Sequence, residues 1–252
     1  MSRRRLLVFA KPARPGRVKT RLIGALTAEQ AAELHEALLR DLLGRLAGGE
    51  FSLRLAWALE AGESPPPWSP PWVRQLGADL GARLHGALAG AAAEGCAAVA
   101  AVGSDHPDLG RADVEGAFAR VEAGAGVALA PAGDGGYALI ALAAAAVQPE
   151  LFARIPWSTP RVLDETLARC RQVGLEVALL PEQRDLDTPE DLRRLAAALA
   201  GECSAARSPR AEALLERWRR PRRILGQDKG LFEVPEDFDA PLSDDLLADF
   251  EG

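Results

Sequence analysis

Leu6-Leu7-Val8-Phe9-Ala10, which runs directly into Lys11-Pro12-Ala13-Arg14-Pro15-Gly16-Arg17-Val18-Lys19-Thr20-Arg21-Leu22, is the stretch that decides the fold. A short apolar run bounded by proline and glycine predicts a buried strand that ends in a loop. The loop carries five cations within eleven residues and no acid, and like charges repel each other unless an anion lies between them. Because open α/β sheets bind ligands at the carboxyl ends of their strands, the stretch predicts a polyphosphate site there. The alternative is a solvated basic loop.

The phosphate-binding mode predicted for this loop relies on side chains. The spacing does not satisfy G-x-x-x-x-G-K-[ST], and no G-x-G-x-x-G follows the first strand. We therefore expect Lys11, Arg17, Lys19 and Arg21 to bind the phosphates, helped by the backbone of Gly16.

Composition indicates a globular protein with one substantial core. The chain has 252 residues, of which 48% are hydrophobic and 26% charged. Cys96, Cys170 and Cys203 are widely spaced, which fits neither a disulfide framework nor a metal site and favours a reducing cytoplasm. The apolar run after Met1–Arg5 is too short for a signal peptide, and no window approaches the ~20 apolar residues of a membrane span. We expect a cytoplasmic protein that does not bind membranes.

The net charge of −6 is concentrated at the C-terminus. Residues 222–252 carry three cations and nine acids, so residues 1–221 are balanced. The chain lacks the overall basic character of a nucleic-acid-binding protein, and we expect no such partner.

The order of predicted elements indicates an α/β fold. Thr27 and Gln30 form a capping box that opens a long helix. The apolar patterns predict strands at 6–10, 51–59, 97–102, 127–130, 137–142 and 176–180, and helices at 27–46, 80–94, 112–122, 160–173, from 188 onward and at 212–220. Strands that alternate with helices predict a three-layer, Rossmann-like, mostly parallel sheet with helices on both faces. We expect a domain over 1–200, a linker and short basic helix over 201–221, and an extended acidic tail over 222–252.

Two acidic turns follow predicted strands. Asp105 lies in Gly103-Ser104-Asp105-His106-Pro107, where a carboxylate is well placed to hold a divalent metal that bridges phosphate oxygens. Helix capping is the alternative role for Asp105. Asp134 lies in Pro131-Ala132-Gly133-Asp134-Gly135-Gly136-Tyr137, which is also compatible with a plain hairpin turn. Two acidic turns beside one metal are a stronger signal than either alone.

Further candidates come from weaker patterns. Asp187 stands just before the helix that begins at Thr188-Pro189, and we predict it as a third metal ligand. Glycine permits close backbone approach to a ligand. The further candidates for contact with a substrate are Gly135, Gly136, Tyr137, Trp157, Ser158 and Thr159.

These segments together resemble the arsenosugar-biosynthesis type of glycosyltransferase, a family of bacterial nucleotide-diphospho-sugar transferase-like proteins. The motifs that carry the resemblance occur in family order over about residues 1–200: F-A-K-P-A-R-P-G-R-V-K-T-R-L from Phe9, D-L-G-A-R-L from Asp79, G-S-D-H-P-D-L from Gly103, P-A-G-D-G-G-Y-A-L-I-A-L from Pro131 and W-S-T-P-R-V-L from Trp157. The D-L-G-A-R-L motif adds Asp79 and Arg83 to the expected nucleotide-binding residues. His106 departs from the family pattern, which has a small residue or cysteine at that position.

The resemblance implies a GT-A-like fold and a glycosyltransferase that depends on Mg²⁺ or Mn²⁺ and uses a nucleotide-diphospho-sugar donor. Asp105 and Asp134 would be the catalytic residues, and Asp105, Asp134 and Asp187 the metal ligands. A nucleotidyltransferase of the same fold is the nearest alternative, in which a phosphorylated substrate attacks a nucleoside triphosphate and pyrophosphate leaves. The second alternative is a non-catalytic protein that binds a nucleotide or a partner and acts through its tail.

The tail has a resemblance of its own. Residues 229–252 are similar to the toxin-binding segment of prevent-host-death type antitoxins, which is acidic with spaced apolar anchors. The resemblance implies a protein partner for 222–252. Removal of the tail separates the hypotheses, because an enzyme would keep its nucleotide binding and a partner-binding protein would lose its partner.

Overall fold

The computed structural model describes residues 3–200, 208–219, 238, 239 and 241. The chain divides into a unit of Met1–Arg217 and a second unit of Trp218–Gly252. Almost all of the acidic tail lies outside the described residues, so the protein partner proposed for it stays a prediction.

One mixed sheet forms the centre of the first unit. Within the described residues its seven strands are β1 (Arg4–Ala10), β2 (Ser52–Trp57), β3 (Trp72–Arg74), β4 (Ala98–Gly103), β5 (Val127–Pro131), β6 (Tyr137–Ala143) and β7 (Val177–Leu179). Their order is β3-β2-β1-β4-β6-β5-β7. β6 is antiparallel to both neighbours, and every other pairing is parallel.

Helices cover both faces of this sheet. Those that cover it are α1 (Ala28–Leu46), α2 (Leu80–Ala93), α3 (Arg111–Glu122) and α4 (Val162–Gln172), and α5 (Pro189–Ala200) and α6 (Pro209–Arg219) follow along the chain. Alternation along β1 separates two cores, because successive side chains of a strand point to opposite faces. Leu6 and Val8 pack with α1 and α3, whereas Leu7 packs with α2 and α4. Full burial of each such side chain stabilises the fold by about 2 kcal/mol.

The predicted fold class is confirmed, with two differences in detail. The sheet has an additional short strand, β3, directly after the proline-rich segment 64–71, and β6 runs against its neighbours. The capping box of α1 is present: Thr27 Oγ1 accepts from the backbone of Gln30, and the Gln30 side chain accepts from the Thr27 N–H. None of the described helices is long and apolar enough to cross a membrane.

The topology places the polar motifs at one edge of the sheet. β1, β4, β5 and β7 are parallel to one another, so their carboxyl ends face the same way. The loops that follow these strands begin at Lys11, Ser104, Ala132 and Leu180. Loops far apart in the sequence therefore meet at this edge.

Candidate functional site

A cavity of about 450 Å³ lies at the carboxyl ends of β1 and β4, and we call it the basic cavity. Five cationic side chains line it: Lys11, Arg17, Lys19, Arg21 and Arg83. Asp105 and Asp187 are the carboxylates in its wall. The predicted cationic loop and two of the predicted metal ligands are thus brought together.

Lys19 is buried among oxygen atoms, with only 2% of its side chain exposed. Its Nζ lies 2.8 Å from Asp105 Oδ1 and 3.2 Å from Asp187 Oδ1, and it donates to the Leu186 carbonyl at 2.5 Å. The ammonium donates to the Leu186 carbonyl and to Asp187, and Asp105 adds a close ionic contact. The backbone of Lys19 adopts a left-handed conformation with φ 48°, which is uncommon for a residue with a side chain. The structure therefore uses Lys19 to join the two acidic loops, whereas the sequence predicts a direct phosphate contact.

Asp105 is held ionised by its surroundings. Burial acts to raise the pKa of its carboxyl, but the Lys19 charge and the nearby His35 ring outweigh this effect and lower the pKa well below its usual range. His35 Nδ1 lies 3.7 Å from Asp105 Oδ1, and its Nε2 lies 3.0 Å from the Lys11 carbonyl oxygen. A carbonyl only accepts, so Nε2 donates there. His35 thereby links the first loop to Asp105.

Two arginines of the cationic loop after β1 also have carboxylate partners. Arg21 Nη1 lies 3.3 Å from Asp187 Oδ2. Arg14 pairs with Glu60 and Glu63, which anchors the loop to the segment after β2. Sequence alone suggests cations that are all available to an anion, and the fold neutralises part of this charge.

The remaining cations of the basic cavity have no carboxylate partner among the described residues. Lys11 and Arg17 are exposed, and Arg83 donates from Nε to the Gly77 carbonyl at 3.1 Å. Asp79 is used differently from the prediction: its carboxylate accepts from the Ala82 N–H and caps α2, and it does not line the cavity. Gly16 has a φ of 72° that suits the turn of the loop, and it too lies outside the cavity wall.

A second cavity of about 440 Å³, the central cavity, adjoins the first. Asp134 lines it, and its Oδ1 accepts from the Gly136 N–H at 2.9 Å. Gly136 is part of the same wall, whereas Gly135 is turned towards α4. At Gly135 the φ is 85°, and a Cβ would lie 2.2 Å from the Pro160 carbonyl oxygen. Gly135 is therefore required for close packing between two loops.

The predicted substrate-contacting residues other than Gly135 line this cavity together. Tyr137 and Trp157 meet edge to face with ring centroids 6.4 Å apart. The Tyr137 hydroxyl is buried beside Thr166, and burial raises its pKa, so the ring and not the hydroxyl is offered to a ligand. Ser158 has a φ of 64° and lines both cavities. Thr159 donates to the Pro156 carbonyl at 2.7 Å.

Sequence reasoning did not assign site roles to His35, described above, or to His106, Asp185 and Gln75. His106 is buried, and its Nδ1 lies 2.9 Å from Asp185 Oδ1, which ties the Asp105 turn to the loop before α5. The Leu186 N–H donates to the Asp105 carbonyl in the same connection. Gln75 follows β3 and lines the basic cavity. No spacing rule reveals such partners, because the fold alone brings them together.

The predicted metal ligands are only partly assembled. Asp105 and Asp187 approach the Lys19 ammonium from two loops. Their Oδ1 atoms lie 2.8 and 3.2 Å from its Nζ, so the separation between these two oxygens cannot exceed the sum of those distances. Asp134 and Asp187 are shared between the central cavity and an outer cavity of about 480 Å³. In the part of the chain that the structure describes, no group of three or more histidine, cysteine, aspartate or glutamate side chains is arranged to hold a metal.

Comparison with solved structures identifies proteins of the same fold. A provisionally assigned nucleotide-diphospho-sugar transferase from Desulfovibrio desulfuricans G20 is 32% identical, with a TM-score of 0.80 over 86% of this chain and 95% of that chain. A cytidylyltransferase from Leptospira borgpetersenii is 15% identical, with a TM-score of 0.54 over 86% of this chain and 93% of that chain, a likeness of fold alone. No curated protein matches at a significant level.

Sequence comparison gives the family. Residues 48–159 match the model described as an uncharacterized protein conserved in bacteria (DUF2064). The Desulfovibrio chain exceeds 30% identity and is covered almost completely. On these two grounds the chain belongs to the DUF2064 family of bacterial proteins, with the fold of nucleotide-diphospho-sugar transferases.

Proposed function

We propose that this protein is a glycosyltransferase that uses a nucleotide-diphospho-sugar donor. The observation that carries the proposal is the pair of adjoining cavities at the carboxyl edge of the sheet, one basic and one lined by aromatic, hydroxyl and carboxylate groups. The similarity to the Desulfovibrio protein supports the same class of reaction. The diphosphate would bind in the basic cavity and the sugar in the central cavity.

The charge of the basic cavity favours a diphosphate ester over a triphosphate. Lys19 and Arg21 are committed to Asp105 and Asp187, so Lys11, Arg17 and Arg83 are the cavity cations left for the ligand. A diphosphate that is esterified at both ends carries less negative charge than a triphosphate. Three cations suit the smaller charge better.

In the proposed reaction the bond between the anomeric carbon and the diphosphate oxygen breaks, and the oxygen of an acceptor hydroxyl bonds to that carbon. The nucleoside diphosphate leaves, and the hydroxyl proton is released to it or to solvent. Charge develops on the departing diphosphate, and Lys11 and Arg17 are placed to stabilise it. Trp157 and Tyr137 would hold the sugar face, with Ser158, Thr159 and the backbone of Gly136 beside its hydroxyls.

A divalent cation, Mg²⁺ or Mn²⁺, is part of the proposal. Carboxylate oxygens are the ligands that such ions prefer. The carboxylates of Asp105 and Asp187 converge on Lys19, which lies between them. About two-fifths of each aspartate side chain is exposed. These two residues would hold the ion. Asp134 is the third candidate, because it lines the central cavity together with both of them. When bound, the ion would supply positive charge to the leaving diphosphate.

Thermal unfolding in the presence of nucleotides tests the proposed function. The panel holds nucleoside diphosphate sugars, nucleoside diphosphates and triphosphates, each with and without Mn²⁺. A ligand that binds the native state raises the unfolding midpoint by mass action, so we expect metal-dependent shifts with one diphosphate and its sugars. Shifts with a triphosphate alone would assign the site to nucleotidyl transfer. No shift with any nucleotide would contradict both and favour the partner-binding alternative.

The Asp105→Asn variant tests the role of the carboxylate. We expect the affinity of this variant for the nucleoside diphosphate in Mn²⁺ to fall by about 100-fold. Mutation of residues that only contact a metal ligand costs up to about this much, and Asp105 would be a ligand itself. Asn has the same shape, and Lys19 keeps Asp187 and the Leu186 carbonyl, so the fold should survive. Calorimetric titration measures the affinity. Asp164→Asn, at an exposed position on α4, is the matched control, and equal affinities for the two variants would remove Asp105 from the site.

A further inference from the structure

The amide of Gln75 forms part of the basic cavity at the ends of β1 and β2. Its Nε2 lies 2.7 Å from the Ala56 carbonyl oxygen and 3.3 Å from the Ala10 carbonyl oxygen. Its backbone N–H donates to the Trp57 carbonyl at 2.9 Å. The residue is thus fixed to both strands through main-chain oxygens.

These contacts determine which way the amide of Gln75 is turned. Carbonyl oxygens only accept, so the NH₂ group and not the oxygen must face them. Both N–H donors are then used within the protein. Among the described residues no group donates to Gln75 Oε1. The cavity therefore has a hydrogen-bond acceptor that cannot turn into a donor without the loss of two contacts.

The surroundings of Gln75 indicate which part of the ligand this acceptor meets. Phosphate oxygens only accept, so they are excluded from Gln75 Oε1. Phe9 and Leu80 line the same cavity, and Leu80 remains 40% exposed although it is large and apolar. A flat group with apolar faces and N–H donors on its edge fits this combination, and in a nucleotide that group is the base.

We propose that Gln75 reads the nucleobase of the donor by accepting a hydrogen bond from an N–H on the base's Watson–Crick edge. This inference rests on the proposed function, because it requires that the ligand be a nucleotide. It adds a residue that selects the donor, at a position outside the cationic loop. The base would lie over the ends of β1 and β2, next to Lys11, which follows β1 directly.

The experiment measures affinities of the full chain by calorimetric titration with UDP, CDP, ADP and GDP. The tightest of the four is then compared with the analogue whose edge N–H groups are methylated: N3-methyluridine, N4,N4-dimethylcytidine, N6,N6-dimethyladenosine or N1,N2,N2-trimethylguanosine diphosphate. Loss of one hydrogen bond of this kind weakens binding by about fivefold. We expect that loss on methylation for the natural chain, and the same loss for Gln75→Leu with the unmodified nucleotide.

Gln75→Leu and the methylated nucleotide together should lose little more than either change alone, because they remove the same contact. Pyrophosphate has no base, so its affinity should be equal for Gln75→Leu, the natural chain and the control Gln172→Leu, at an exposed site on α4. The proposed contact between Gln75 and the base would be overturned if the affinity losses from Gln75→Leu and from methylation add together. Full affinity of the natural chain for the methylated nucleotide would also overturn it. The second of these results does not depend on the variant's folding. No binding of any diphosphate would instead overturn the proposed function.

Discussion

Lys19→Met is expected to lose about 3 kcal/mol of unfolding free energy, the lower end of the range for breaking a buried ion pair. The lower end applies because Asp105 and Asp187 are each about two-fifths exposed, although Lys19 itself is 2% exposed. Methionine has a similar shape but no charge, so the two carboxylates and the Leu186 carbonyl would lose their common donor. Urea denaturation followed by circular dichroism measures the loss.

Lys11→Met is the matched control for this variant. Lys11 is exposed, and its side chain has no ion-pair partner among the described residues, so we expect a change within about 0.5 kcal/mol. If both variants unfold at the same urea concentration as the natural chain, the Lys19 contacts do not hold the acidic loops together. A loss confined to Lys19→Met identifies a structural cation in the middle of the site.

Asp41→Ala should also cost about 3 kcal/mol, through the docking of α6 on α1. The Asp41 side chain is fully buried and accepts from the backbone N–H groups of Arg210 and Ala211. It also pairs with the Arg210 guanidinium at 3.2 Å. A carboxylate at a helix N-terminus satisfies free N–H donors and the positive end of the helix dipole. Alanine leaves those donors without an acceptor in a buried place, which costs more than an ordinary cap.

Urea denaturation and limited proteolysis of the 208–219 segment measure the effect of Asp41→Ala. Glu36→Ala, on the same helix, removes an i,i+4 ion pair with Arg40 and should cost about 0.3 kcal/mol. Equal stability and equal cleavage for Asp41→Ala and the natural chain would show that α6 is held by other contacts.

The local elements were predictable because their signals are local. The capping box at Thr27 lies within four residues, and the strands of the core are short runs of apolar residues. β3 escaped prediction since three residues after a proline-rich segment give no periodicity. The reversed direction of β6 follows from its short connection to β5, which a sequence motif rich in glycine permits but does not require.

The convergence of the candidate site residues at one edge of the sheet was predictable, and their contacts were predictable only in part. Residue types placed the cations and carboxylates at the correct edge of the sheet. The pairing of Lys19 with Asp187, of Arg14 with Glu60 and of His106 with Asp185 depends on contacts between distant segments. Gln75 gave no signal at all, because a single amide has chemical meaning only once its neighbours are known. The roles that remain predictions are those of the bound ligand and metal.

The pairing of Lys19 with Asp187 spans 168 positions of the chain. During synthesis β1 and its cationic loop emerge first, and the carboxylate that completes the Lys19 site emerges after β7. The ribosome adds about 5–20 residues per second, so the loop spends roughly 8 to 34 seconds without that partner. The Lys19 site is therefore completed late in synthesis, and the proposed ligand binding would have to wait for it.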